Sequence, residues 1–438
     1  MTAETLSRPG SDGRIVRAAD RIRGTVRVPG DKSISHRAAL FNAVADGRAT
    51  VTNFSPGADC AATLACLRQL GVHVTATGDR VEVHGVGSGG LAEPADVLDC
   101  ANSGTTMRLL CGLLAGAGVF AVLTGDASLR RRPMARVAEP LRGMGAAIAG
   151  RDQGRLPPLA IAPSPRLHGV EYPLAVASGQ VKSALLLAGL AADGATTVLE
   201  PARSRDHTER LLSAMGADVQ VAGSRITIQP GAALRATDVA IPGDFSSAAF
   251  WLVLGCLHPN AHVRITDVGL NPTRTGLLEV LRAMGGNVHV ENASEVAGEP
   301  VGDLVAESSA LRGTTVAGAL VPLAIDELPL IALLGLFAAG ETVVRDAAEL
   351  RSKESDRIAA AAEGLRALGG DLVATADGWR ITGGARLQPA RVSSQGDHRI
   401  AMLLALAGAL GAGAEVTGAD AVSVSYPAFW QTLDQVAA

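Results

Sequence analysis

Lysine is scarce in this chain. Of its 39 basic residues only three are lysines, Lys32, Lys182 and Lys353, and each stands in a polar stretch that reads as a helix start. A compact ammonium in place of the usual guanidinium marks these as positions where the kind of cation matters. Lys32 lies in Val28-Pro29-Gly30-Asp31-Lys32-Ser33-Ile34-Ser35-His36-Arg37, a strand end, a Pro-Gly turn and an N-cap at Asp31 or Ser33. Free N–H donors, a lysine and an arginine one turn inside make an anion site. A capped surface helix accounts for the same residues equally well. Asn102-Ser103-Gly104-Thr105-Thr106-Met107-Arg108 repeats the logic, with a glycine that lets backbone approach a ligand, although Asn-Ser-Gly is also an ordinary turn. Arg132 ends the run Arg130-Arg131-Arg132, and Pro133 after it holds it out of the helical region. Such forks suit carboxylate and phosphate. Ser178-Gly179-Gln180-Val181-Lys182-Ser183 gathers amide, hydroxyl and ammonium groups. Arg205 precedes a helix for which Asp206 and Glu209 are placed as a capping box.

Carboxylates stand in the same company. Asp326-Glu327 interrupts an apolar stretch between Pro322 and Gly340. Two acids there are costly unless they are paired, or unless raised pKa values serve acid–base chemistry. Arg351-Ser352-Lys353-Glu354-Ser355-Asp356-Arg357 is the densest charge cluster, readable alone as a salt-bridged helix face, and Asp397-His398-Arg399 opens a further helix.

The elements that must position these groups repeat. Leu-x-x-[Leu/Met]-Gly followed by a β-like pattern occurs at residues 67–71, 141–145, 212–216, 281–285 and 365–369, and a truncated sixth copy fits residues 429–436. Upstream of each copy lies a more apolar helix with a polar start, at Asp31, Asn102, Ser178, Gly243, Asp326 and Gly396. Each unit reads strand–helix–strand–helix–strand–strand, too large for most solenoid repeats, so six of them divide into two globular halves of three. The break falls near residues 237–242, with residues 20–28 as the other crossing. Parallel packing of equivalent helices would gather their N-termini where the halves meet.

Composition bounds the function. At 438 residues more than one core is expected, with Ala, Leu and Val rather than the 3% of aromatics filling it. A net charge of −4 without basic–aromatic stretches argues against nucleic acid. Five cysteines, Cys60, Cys66, Cys100, Cys111 and Cys256, form no CxxC, and no metal-ligand spacing appears among the nine histidines. That usage, with no apolar leader, favours a reducing cytosol. The first ~20 residues read as a loose tail, and no apolar run reaches the ~18 residues of a membrane span. Gly85-Val86-Gly87-Ser88-Gly89-Gly90 matches GxGxxG, but no amphipathic helix follows, so it reads as a loop.

The motifs PGDKSISHR, NSGTTMR, GDASLRRRPM, ASGQVKSALLLAGL, SRDHTE, IDELP, LRSKESDR and DHRIAM together resemble the 5-enolpyruvylshikimate-3-phosphate synthase family, in that family's order across residues 24–429. The resemblance implies an α/β fold, the two-domain inverse α/β barrel of six βαβαββ repeats. It places residues 1–28 plus 242–438 in one discontinuous domain and residues 29–241 in the other. The implied activity is transfer of the enolpyruvyl group of phosphoenolpyruvate to the 5-hydroxyl of shikimate 3-phosphate, with release of phosphate. Matched residue by residue, Lys32, Ser33, Arg37, Ser178, Gly179, Gln180, Arg205, Asp326 and Lys353 would bind shikimate 3-phosphate. Lys32, Gly104, Arg132, Gln180, Arg357 and Arg399 would bind phosphoenolpyruvate, and Asp326, Glu354 and Lys32 would move protons. No metal, cofactor, nucleic acid or membrane is implied, and a cytoplasmic monomer is expected.

The chain departs from one branch of the family at Leu109, where that branch has proline, and at Ser425, where it has a lysine. It resembles more the branch with glyphosate-tolerant forms, yet keeps Gly104 where those carry alanine. The alternatives are the sister transferase acting on UDP-N-acetylglucosamine, and a non-catalytic anion-binding repeat scaffold. The first places a reactive cysteine in the loop that here reads Gly125-Asp126-Ala127-Ser128. The second gains nothing from carboxylates at Asp326 and Glu354.

Overall fold

The computed structural model describes residues 13–296 and 298–437. The expected tail therefore lies outside the described residues over 1–12, as do Ala297 and Ala438 of the expected discontinuous domain.

All six polar starts open helices: Lys32–Ala43, Gly104–Ala117, Gly179–Gly189, Phe245–Leu257, Leu328–Phe337 and His398–Leu410. These inner helices are enclosed nearly all round, and all but Lys32–Ala43 are mainly apolar. Every residue of Phe245–Leu257 except the last is buried. Six outer helices alternate with them: Ala58–Gln69, Ala135–Gly143, His207–Ala214, Gly276–Met284, Arg357–Ala367 and Phe429–Val436. Gly276–Met284 shows the one-sided pattern of an outer helix, with Leu277, Val280, Leu281 and Met284 inward at helical spacing.

The repeated Leu-x-x-[Leu/Met]-Gly is a helix terminator. Gly71, Gly145, Gly216, Gly285 and Gly369 all have positive φ, between 84° and 98°. The N–H after each glycine bonds back to the repeated leucine carbonyl, as from Val72 to Leu67 at 3.0 Å and from Gly286 to Leu281 at 2.7 Å. This is the Schellman closure, and it needs the left-handed conformation that glycine adopts without penalty.

Six open sheets, five of four strands and one of three, back the helices. Within the second unit, Leu98–Asp99 runs parallel to Ala121–Thr124, which pairs antiparallel with Leu156–Ala162, itself paired with Ala147–Gly150. Two units take their leading strand from far away in sequence. Val239–Ala240 runs beside Asp46–Thr52, and Ile22–Arg27 beside Ala261–Gly269. The chain therefore passes between the halves twice at one place, where Gly30 and Gly243 form an antiparallel bridge. The truncated sixth copy is completed by Gly13–Val16, which pairs antiparallel with Ala414–Thr417. Those residues are a strand rather than the expected tail, because the sixth unit has no hairpin of its own.

Buried apolar side chains form two clusters, one drawn from residues 34–241 and the other from 16–28 and 245–436. Among the described residues no helix is long and apolar enough to cross a membrane.

Candidate active site

The six inner helices point their N-termini at one cavity of about 370 Å³ between the two cores. Lys32 and Ser33, Gly104 and Thr105, Ser178 to Gln180, Asp244, Asp326, and His398 with Arg399 all line it. Five starts are capped by their own side chains, Asp31, Ser103, Ser178, Asp244 and Asp397, each accepting a first-turn N–H. The remaining first-turn N–H groups and the helix dipoles face the cavity. Ten cationic side chains and six carboxylates complete the wall, so its field favours polyanions.

On one side, Lys32 Nζ lies 2.9 Å from Asp59 Oδ2. Burial works against the ammonium, but Asp59 and Glu354 outweigh it, and the Lys32 pKa rises. Arg37, one turn on, donates to Thr208 Oγ1 at 2.7 Å, to Ser183 Oγ at 2.8 Å and to the Ser33 carbonyl at 2.9 Å. Burial and the neighbouring Arg205 bring its pKa down to about 10. Gln180 joins two units, donating to Thr105 Oγ1 at 2.9 Å and accepting from Arg108 Nη1 at 2.6 Å. Arg132 has extended backbone, φ −74° and ψ 139°, as Pro133 requires, and its guanidinium donates to Asn102 Oδ1 at 2.6 Å. Gly104 leaves no room for a side chain, since a Cβ there would come 2.7 Å from Arg108 Nη1 and 3.3 Å from Arg132 Nη1.

On the other side, Arg357 is 1% exposed and organises the acids. It donates through Nε to Asp397 at 2.8 Å, through Nη2 to Glu354 at 2.5 Å and through Nη1 to Asp326 at 3.3 Å. Asp326 also meets Arg205 from the opposite half and lies 3.8 Å from Arg399. Burial alone would raise its carboxyl, but Arg399, Arg205, Lys353 and Arg357 hold it well below the usual range. Glu354 lies 3.5 Å from Arg132 across the cavity. Its carboxyl is likewise held low, with Arg357 and Arg132 overcoming burial. Of the two options open at Asp326-Glu327, pairing is therefore the one taken. Glu327 is buried as well and accepts from Ser246 Oγ. Lys353 reaches Glu349 at 3.1 Å.

All fourteen residues singled out from the sequence line this cavity. Lys182 does not; it is buried behind the wall and paired with two glutamates. The capping box expected at Asp206 and Glu209 is not formed. The Asp206 side chain makes no cap bond and turns to Arg210 and Asn271, while Glu209 turns inward to Lys182. Sequence reasoning missed Asp59, Arg136, Arg274 and Glu349, which also line the site. Arg108 carried a signal, because it follows Gly104 by four residues as Arg37 follows Ser33. Asp59 and Arg274 carried none, for each reaches the cavity from an outer-helix start with no motif of its own.

A wall of this kind can hold two anionic molecules side by side and offer each a half-buried carboxylate. Its likeness to known proteins is extensive. A family model for EPSP synthase (3-phosphoshikimate 1-carboxyvinyltransferase) matches residues 16–433. The chain is 54% identical over 422 residues to the 3-phosphoshikimate 1-carboxyvinyltransferase of Roseiflexus sp. (strain RS-1), covering 95% of this chain and 97% of the relative. It is also 54% identical over 430 residues to that of Chloroflexus aurantiacus, covering 97% and 99%. The solved EPSP synthase from Acinetobacter baumannii matches with a TM-score of 0.86 at 42% identity, over 96% of this chain and 97% of that one. The enolpyruvyl transferase NikO from Streptomyces tendae shares the fold, with a TM-score of 0.79 at 20% identity over 98% of both chains.

Proposed function

The chain belongs to the EPSP synthase family, and from that premise we propose which of its residues carry the reaction. It is a transferase that moves the enolpyruvyl group of phosphoenolpyruvate to the 5-hydroxyl of shikimate 3-phosphate and releases phosphate. Its fold is the two-domain inverse α/β fold.

Shikimate 3-phosphate binds to Ser33, Arg37, Ser178, Gly179, Arg205 and Lys353. Phosphoenolpyruvate binds to Gly104, Arg132, Arg357 and Arg399, with Lys32 and Gln180 between the two. Asp326 accepts the proton of the 5-hydroxyl. Glu354 delivers a proton to the methylene carbon of phosphoenolpyruvate, whose C2 then takes the attack of the hydroxyl oxygen. The tetrahedral adduct loses a proton from its new methyl group as phosphate departs, which restores the enol double bond. Lys32 offsets charge on both substrates during these steps.

One observation carries these assignments. Asp326 and Glu354 pair with the very cations that a substrate anion would take, Arg205 for the first and Arg132 and Arg357 for the second. Arrival of phosphate at Arg205 draws that guanidinium away from Asp326 and lets its pKa rise. Arrival of phosphoenolpyruvate at Arg132 and Arg357 does the same for Glu354. Each acid is thus weakly basic until its substrate is bound, and becomes competent when both are.

The enzyme works as a cytoplasmic monomer that closes residues 29–241 onto residues 1–28 plus 242–438. Phosphate release from phosphoenolpyruvate tests the reading, with shikimate 3-phosphate or UDP-N-acetylglucosamine as acceptor. Release with the first acceptor alone is expected, together with a loss of at least about a hundredfold in kcat for Asp326→Asn. Full activity in that variant would overturn the role given to Asp326.

A further inference from the structure

Lys182 is 1% exposed and has no access to the cavity, yet its ammonium is not idle. Nζ lies 3.0 Å from Glu200 Oε2 and 2.6 Å from Glu209 Oε1, both carboxylates being buried as well. The other oxygen of Glu200 accepts from Ser204 Oγ. We propose that Lys182, with Glu200 and Glu209, is a positioning residue for the 3-phosphate of the acceptor substrate. The proposal rests on the function given above and goes beyond it.

Three segments meet at this ammonium. Lys182 belongs to the helix Gly179–Gly189, and its N–H bonds Ser178 O at 3.0 Å. Glu200 directly follows the strand Thr196–Leu199, and Glu209 sits in the first turn of the helix His207–Ala214. The cavity faces of these segments carry donors that a phosphate would meet: Ser178 and Gly179 on the first, Ser204 and Arg205 on the second. Thr208, on the third, anchors Arg37 at 2.7 Å. Gly179 and Arg205 are in contact, for a Cβ on Gly179 would lie 3.3 Å from the Arg205 Cβ. The spacing of the donors around a phosphate is therefore set by how closely the helix start and the loop are drawn together. Behind them, Lys182–Glu200 ties the helix to the loop and Lys182–Glu209 ties it to the helix that follows.

Stability alone does not call for such a cluster. A buried ion group commonly gives no more stability than a well-packed apolar replacement, whereas removing one member is costly. Its distinct contribution is direction. Two carboxylates from two segments converge on one small cation, which fixes their separation in a way that apolar packing does not. An ammonium can meet both acids from one atom, where a guanidinium would need a plane of space. That matches the survival of lysine here in a chain whose other cations are nearly all arginine. Two acids against one ammonium leave excess negative charge, and burial pushes the Glu209 carboxyl up despite the pull of Lys182. Arg37, which Glu209 stabilises as a cation, takes part of that excess and carries the influence forward to the cavity.

Steady-state kinetics on the full-length enzyme test this. Shikimate 3-phosphate and phosphoenolpyruvate are varied separately, and shikimate without its phosphate serves as a second acceptor. The double variant Lys182→Met/Glu209→Gln avoids stranding a pair of buried acids. Glu200→Gln keeps the shape and the Lys182–Glu209 pair. The double variant is expected to raise KM for shikimate 3-phosphate about tenfold, and Glu200→Gln roughly threefold. KM for phosphoenolpyruvate should stay within about twofold, and kcat/KM for unphosphorylated shikimate should change far less than for shikimate 3-phosphate. If both substrates and both acceptors are affected alike, or if thermal stability falls while KM for shikimate 3-phosphate stays put, the cluster is structural and the proposal fails. Should the double variant not fold, Glu200→Gln carries the same comparison. A wild-type enzyme that releases no phosphate would instead refute the assigned function, a result distinct from either.

Discussion

A glycine and a histidine show how single residues tune this cavity. At Gly104 a methyl group has nowhere to go without moving Arg108 or Arg132, since it would sit 2.7 Å and 3.3 Å from their Nη1 atoms. Gly104→Ala should therefore raise KM for phosphoenolpyruvate severalfold. It should weaken glyphosate, a bulkier occupant of the same space, by a larger factor still. Equal inhibition constants for wild type and variant would sink the steric reading. His398 is buried with both ring nitrogens unbonded, and burial brings its pKa down to about 3 against the pull of Asp397. It is neutral in folded and unfolded chains above about pH 6.5. Between 6.5 and 3 only the unfolded chain takes the proton, so stability falls as pH drops through that window, by roughly 1.4 kcal/mol per unit. His398→Gln should remove this slope. Unfolding free energies from urea titrations at pH 7 and 4.5 should then differ by roughly 2–3 kcal/mol less than in wild type. The residues proposed as ligands were readable because each lies in a polar motif at or beside a helix start or, for Arg132, directly before a proline. Asp59 and Arg274 were not, because only the tertiary approach of an outer helix gives them a role.

At the scale of the element, the repeat is a sequence of stops. The glycine of Leu-x-x-[Leu/Met]-Gly is required by its left-handed backbone, and the structure separates that requirement from crowding. A Cβ on Gly216 would meet nothing within 4 Å, whereas one on Gly145 would lie 2.9 Å from the Arg166 carbonyl. Gly216→Ala should then cost about 1 kcal/mol through conformation alone, and Gly145→Ala distinctly more, with kcat untouched in the first. Differential scanning calorimetry of the two variants measures the difference. The periodic stops made the unit count legible, and the polar starts located all six inner helices. The capping box was misread because the buried ammonium of Lys182 competes for Glu209. That ammonium lies on another helix and leaves no trace in the local spacing. Strand exchange was equally hidden. Nothing near Gly13–Val16 tells that its partner lies some 400 residues away.

The whole molecule turns on the double crossing. Asp31 N–H bonds Pro242 O at 2.8 Å and Asp244 N–H bonds Pro29 O at 2.8 Å, so the two connections form a short ribbon. Asp31 and Asp244 each cap an inner helix, one in each half, and a single guanidinium serves both. Arg274 lies 3.1 Å from Asp244 and 3.8 Å from Asp31. Burial and the neighbouring Asp31 push the Asp244 carboxyl up to about 6 even with Arg274 present. Arg274→Met leaves two acids facing each other across the crossing. The expected outcome is a larger radius of gyration at pH 7.5 and a KM several times higher for both substrates, each partly restored near pH 5.5 as one acid takes a proton. A variant whose radius and constants match wild type would deny the crossing this dependence on Arg274.

The exchanged strands also set a schedule. On the ribosome, residues 29–241 can gather their own core as soon as they emerge. Ile22–Arg27 must wait for Ala261–Gly269, and Gly13–Val16 must wait for Ala414–Thr417. At about 5–20 residues per second the longer wait is about 20–80 s. Unpaired strands left open for that time invite association with other nascent chains. Arg14, Arg17, Arg21, Arg23 and Arg27 are spread through this waiting segment. Their repulsion between copies is the kind of gatekeeping that keeps an early-made, late-used strand monomeric until its partner is synthesised.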